Sequence, residues 1–287
     1  MPPASGVVAP SALKQALIVA FVGIVSAASV TAILNRRPRP AAAALEGGSD
    51  PDRAAAAEEE KRDASLHATF FERPLEHFRI FYQGGAQAAI GERVARVLER
   101  EYSRIGRTLN SYPGEPVTVI LYTNREFQDI TRSPSWATGR YDGRIRVAVG
   151  GAIEGATLDR IVTHELVHAV VASAAPRGVP AWLNEGLASY LESSDRSWTQ
   201  AVIRDATTLL PLEDLIGGFS RLDEENALVA YAESAIAAEI LCAQLGTNIG
   251  RFLQMIGNGS AVDEALLEFH VQPNAFQSEW RRRVGVR

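Results

Sequence analysis

Apolar and polar positions change their period several times along this chain, and the changes mark out its elements. Phe78 to Tyr82 and Val117 to Tyr122 are short runs of aromatic and β-branched residues, which predict strands. Between them, apolar residues three and four apart predict a helix from Ala86 to Arg107, and a short helix is expected from Asn124. The stretch Tyr141 to Val149 reads as a strand leaving a turn, with Ile145, Val147 and Val149 on one face. A helix follows, with Thr157 as its cap and Asp159 in its first turn. Ile161, Val162, Leu166, Val167, Val170 and Val171 lie along it, and Pro176-Arg177-Gly178 ends it. A second helix is predicted from near Pro180 through Trp182, Leu183, Leu187 and Leu191. Further helices are expected at about 227–245, 249–256, 261–269 and 274–283, two of them closed by Gly246 and Gly257. Strands early and helices late predict an α+β domain: a small mixed β-sheet, then a buried helix, then a mainly helical C-terminal half.

The N-terminal quarter has a different character. Gln15 to Leu34 carry no charged side chain, about the twenty residues that cross a bilayer core, so residues 1–35 are expected to be a transmembrane anchor. Ser26-Ala27-Ala28 also fits a small-residue cleavage site, so a signal peptide is the alternative. The apolar run continues past that site to Leu34, which favours a retained single-pass anchor, and signal-anchor behaviour with a short N-terminus places the folded domain on the extracytoplasmic side. Arg36, Arg37 and Arg39 just after it are the opposing indication of orientation. Residues 36–66, rich in Ala, Pro and charge, read as a linker, and 67–287 as the folded domain.

Composition narrows the function. A hydrophobic fraction of 46% is ample for a core, and a net charge of -5 offers no broad basic surface for nucleic acid. No Walker loop or dinucleotide-binding glycine motif occurs. The single cysteine, Cys242, has no partner for an internal disulfide.

The chemistry concentrates in His164-Glu165-Leu166-Val167-His168. Two histidines four residues apart share a helix face and can hold one tetrahedral Zn²⁺, while Glu165, turned by about 100°, sits beside the metal as a general base. With five histidines in the chain, a chance match is improbable. The apolar residues inside the motif bury it, where unpaired imidazoles and carboxylates are costly. A catalytic zinc needs a third protein ligand. Val171 and Ala174 stand where a metzincin would have glycine and histidine, so the donor must be a carboxylate, and Glu185 in Trp182-Leu183-Asn184-Glu185-Gly186-Leu187-Ala188 is best placed.

These residues resemble the gluzincin branch of the zincin metallopeptidases, above all the small bacterial peptidase-MA-like domains. The resemblance implies a zincin-like fold, one Zn²⁺ on His164, His168 and Glu185, and hydrolysis of peptide or protein substrates with Glu165 as catalytic base. It implies that the strand before the metal helix, with Ile145 and Val147, is the sheet edge that binds substrate. It also implies that Tyr231 can donate to the oxyanion. Thermolysin-like members carry an aspartate four residues after the glutamate ligand. Here that position is Ser189, which leaves open what holds the zinc histidines' outer nitrogens. A non-catalytic peptide- or partner-binding module on the same scaffold, and a zinc hydrolase of non-peptide amides or esters, are the alternatives.

Overall fold

The computed structural model describes residue 61 and residues 69–285, apart from 134–136, 152, 220 and 221. The expected anchor and nearly all of the expected linker lie outside the described residues. Five strands open the domain: β1 (Phe71–Pro74), β2 (Phe78–Tyr82), β3 (Val117–Tyr122), β4 (Gly139–Tyr141) and β5 (Ile145–Ala148). Their spatial order is β1-β2-β3-β5-β4. β2, β3 and β5 run parallel, while β1 and β4 add antiparallel edges. Parallel neighbours require crossovers, and the helices α1 (Gly84–Leu109) and α2 (Asn124–Thr131) supply them. Thr123 starts α2 with a capping box, its hydroxyl accepting from Glu126 N–H and the Glu126 carboxylate accepting in return.

The remaining helices are α3 (Gly155–Ala174), α4 (Ala181–Leu191), α5 (Ser197–Asp205), α6 (Glu224–Leu245), α7 (Ile249–Gly257), α8 (Val262–Glu268) and α9 (Pro273–Val284). This is the α+β architecture that the strand-then-helix order predicts, in the zincin-like form that the resemblance implies. α3 lies against α1 and the β4-β5 end of the sheet, and α4 is held between α3 and α6. Gly186 explains how closely α4 and α6 approach: a Cβ there would run into the Ser234 carbonyl.

The stretch Glu224–Gly257 is the one candidate membrane span among the described residues by length and hydropathy, but 72% of its apolar window is buried in the protein. α6 is a core helix, apolar nearly all round because α4, α5 and α9 cover it.

Two expectations need correction. α3 begins at Gly155, so Thr157 lies inside its first turn rather than capping it, and Asp159 forms a bidentate pair with Arg93 of α1. More consequentially, β5 is an interior strand between β3 and β4. Ile145 and Val147 are fully buried core side chains, not substrate contacts on an edge. The edge position falls to β4, which three residues, Gly139-Arg140-Tyr141, do not announce as a strand.

Candidate metal centre

α3 and α4 form an antiparallel pair joined by the turn at 175–180, and this brings their polar residues face to face within an apolar interior. His164, Glu165, His168, Asn184, Glu185, Ser189 and Glu192 are all buried. The His164 and His168 rings sit with centroids 4.7 Å apart. Glu185 Oε2 lies 3.4 Å from His164 Nε2 and 3.5 Å from His168 Nε2. A donor atom from each of the three residues falls within 4.8 Å of the others. Donors on a tetrahedral ion with bonds of about 2.0 to 2.1 Å are separated by about 3.3 Å, so the Glu185 oxygen stands at coordination spacing from both imidazoles. His168 Nε2 has no hydrogen-bond partner, an open lone-pair position that an ion would fill. The donor set fits a metal ion.

The outer nitrogens are also held. His164 Nδ1 is 2.8 Å from Glu192 Oε2, and His168 Nδ1 is 3.0 Å from Asn184 Oδ1. Because the helices are antiparallel, the earlier histidine meets the later residue of α4 and the later histidine the earlier one. Glu192 also reaches Arg160, one turn before His164, at 3.3 Å. The Ser189 hydroxyl is buried without a hydrogen-bond partner and orients neither ring. Spacing on α4 was the available signal for Glu192: seven residues beyond Glu185, it returns to the same helix face two turns on.

Glu165 is fully buried and neither of its oxygens has a hydrogen-bond partner. Burial pushes its carboxyl well above the usual range. Nearby His164 opposes this, and the charges of Glu185, Asp142 and Glu192 reinforce it. Burial alone would lower the His164 imidazole, but hydrogen bonds with Glu185 and Glu192 and the surrounding negative charge raise it to about 9. Burial likewise acts to raise Glu185, yet the two histidines outweigh it and hold the carboxyl low, in the ionised form that a cation needs. Gly139 of β4 abuts this site: a Cβ there would come 2.5 Å from Glu165 Oε1, so the edge strand passes directly over the carboxylate.

Tyr231 of α6 closes another side. It is buried, its ring centroid 6.4 Å from that of His164, and Phe219 packs edge-on against it at 5.2 Å. Burial first, then the carboxylates of Glu185, Glu165 and Glu192, push its phenol well above the ordinary value, so it stays a donor.

A buried His-His-Glu cluster on two helices beside a small mixed sheet defines a zincin-type metal-binding scaffold. The family profile of the peptidase MA superfamily matches residues 102–285, and the chain belongs to that superfamily. No curated protein matches it.

Proposed function

We propose that this protein is a zinc-dependent peptidase, with His164, His168 and Glu185 as ligands and Glu165 as general base. The observation that carries the reading is a fully buried carboxylate with no hydrogen-bond partner directly beside three convergent donors. Bound zinc would polarise the scissile carbonyl and lower the pKa of the attacking water. Glu165 accepts the proton of that water and delivers it to the departing amine, and its raised pKa suits the second half of that task. Tyr231 donates to the oxygen on which negative charge develops.

The peptide enters along β4. Arg140 pairs inward with Arg146, between hydrogen-bonded partners Thr138 to Ala148 and Asp142 to Arg144. By antiparallel alternation, Gly139 and Tyr141 turn their N–H and C=O groups toward the open edge, where an extended substrate strand can pair and lie across Glu165. Main-chain pairing favours a peptide over an isolated ester or amide. Glu192 supplies the orienting carboxylate missing at position 189, removing the one feature that favoured a non-catalytic module. The uncharged stretch Gln15 to Leu34 supports tethering to a membrane, and the short segment before it suits a signal anchor that leaves the domain on the outer side.

The test is digestion of a peptide library by the purified protein with and without chelator, alongside Glu165→Gln. The expected outcome is chelator-sensitive cleavage, lost in Glu165→Gln while that variant keeps one equivalent of zinc. Turnover by the zinc-loaded variant at the wild-type rate would overturn the mechanism.

A further inference from the structure

A cavity of about 790 Å³ lies behind the metal centre, where the C-terminal ends of α1, α4 and α6 meet. Its volume falls in the range of small-molecule sites, about 300 to 1,000 Å³. Its walls carry three guanidinium groups from two segments, Arg104 and Arg107 on α1 and Arg196 after α4, in a protein whose net charge is -5.

The opposing carboxylates are already committed. Glu101 is bonded by both Arg100 and Arg104, and the Glu192 side chain is fully buried on the far side with His164 and Arg160. Arg107 is exposed and has no ion-pair or hydrogen-bond partner among the described residues. Arg196 is held over the Tyr190 ring at 4.7 Å, with Nη1 3.4 Å from the Ser193 carbonyl. That fixes its plane while leaving most of its five N–H groups for a ligand. The result is a concave positive site with one guanidinium pre-set, one uncommitted, and no unpaired carboxylate among its lining residues.

We propose that this cavity binds a small polyanion bearing phosphate or carboxylate groups, and that its occupancy is transmitted to the metal centre. Arg104 extends from the cavity wall to donate to the Leu191 carbonyl at 2.5 Å, and the next residue, Glu192, holds His164 at 2.8 Å. An anion that draws on Arg104 therefore pulls on the strut that orients a zinc ligand. The site does not depend on peptidase activity, so its test reads binding and the His164 environment without turnover.

Inorganic pyrophosphate and citrate are titrated calorimetrically into the full chain freed of metal, so that neither probe can act by chelation, with chloride at matched ionic strength as control. Saturable one-to-one binding is expected. It should weaken about tenfold in Arg107→Gln and about tenfold in Arg196→Gln, the loss of one charge-assisted contact each, with unchanged circular dichroism. Tighter binding of pyrophosphate identifies a phosphate ligand, and tighter binding of citrate a carboxylate one. In a parallel NMR titration of the same metal-free chain the His164 ring resonances should shift with the midpoint of the binding isotherm. No saturable binding by either probe, or affinity unmoved by both substitutions, overturns the site. Binding with His164 unshifted overturns the transmission.

Discussion

Glu192 shows how much a single carboxylate outside the ligand set can decide. It accepts from His164 and balances Arg160, so it fixes the ring orientation and the tautomer that leaves Nε2 facing Glu185. Removing it leaves a histidine free to rotate and takes a carboxylate away from the half-buried Arg160 guanidinium. Glu192→Ala should lower zinc affinity about 10- to 100-fold, whereas Glu192→Gln, which keeps an acceptor, should lose less. Competition with a chromophoric chelator measures both. If the role is positional, saturating zinc restores most of the cleavage rate in the glutamine variant. An unchanged zinc affinity in the alanine variant would show that His164 needs no such partner.

The elements owe their spacing to a few residues with no chemistry of their own. Gly186 lets α4 lie against the α6 backbone at Ser234, and that approach carries both Glu185 and Tyr231 to the histidines. Gly186→Ala should cost about 1 to 3 kcal/mol, seen as a lower urea midpoint, because backbone rather than a flexible side chain must yield. Farther along α6, Glu233 is buried and accepts from Leu210 N–H, fastening the segment that caps α4 through Ile216 and Leu215 carbonyls. Burial raises its pKa to about 8, the Leu210 hydrogen bond opposing. The folded protein therefore holds a proton that the unfolded chain releases near its ordinary value. Stability from this group is full at pH below about 4.5 and falls as pH rises to about 8, above which the loss is constant. Glu233→Gln keeps an acceptor for Leu210 and should flatten that part of the pH–stability curve, raising the urea midpoint at pH 8 relative to wild type. A variant whose midpoint still falls in parallel with wild type would assign the slope to other groups.

At the scale of the whole molecule, what the sequence could reveal depended on whether a feature repeats locally. The His164–His168 spacing and the apolar periods of α3, α4 and α6 are local, and so legible. Glu185 was reachable because only one carboxylate sat well on the following helix. Glu192 offered only its helix-face spacing from Glu185, because its partner is fixed by how two helices pack rather than by distance along the chain. The same holds for β4 and β5: β4 has only three residues, and the exchange that places the later strand inside the earlier one is a crossover that no alternation pattern encodes. α5 (Ser197–Asp205), polar apart from a few positions, gave too weak a period to predict. These tertiary arrangements meet at the metal centre, which joins α3 to α4 and presses both on α6, so an ion there should stabilise the entire domain. With free zinc at about 100 times its dissociation constant, the linkage is worth about 2.7 kcal/mol, which for a domain of this size raises the melting temperature by about 5 to 10 °C. Scanning calorimetry with zinc and with chelator should show that difference in wild type and lose it in His168→Ala and Glu185→Ala. A melting temperature indifferent to chelation in metal-verified wild type would mean that the ion binds the folded domain no more tightly than the unfolded chain.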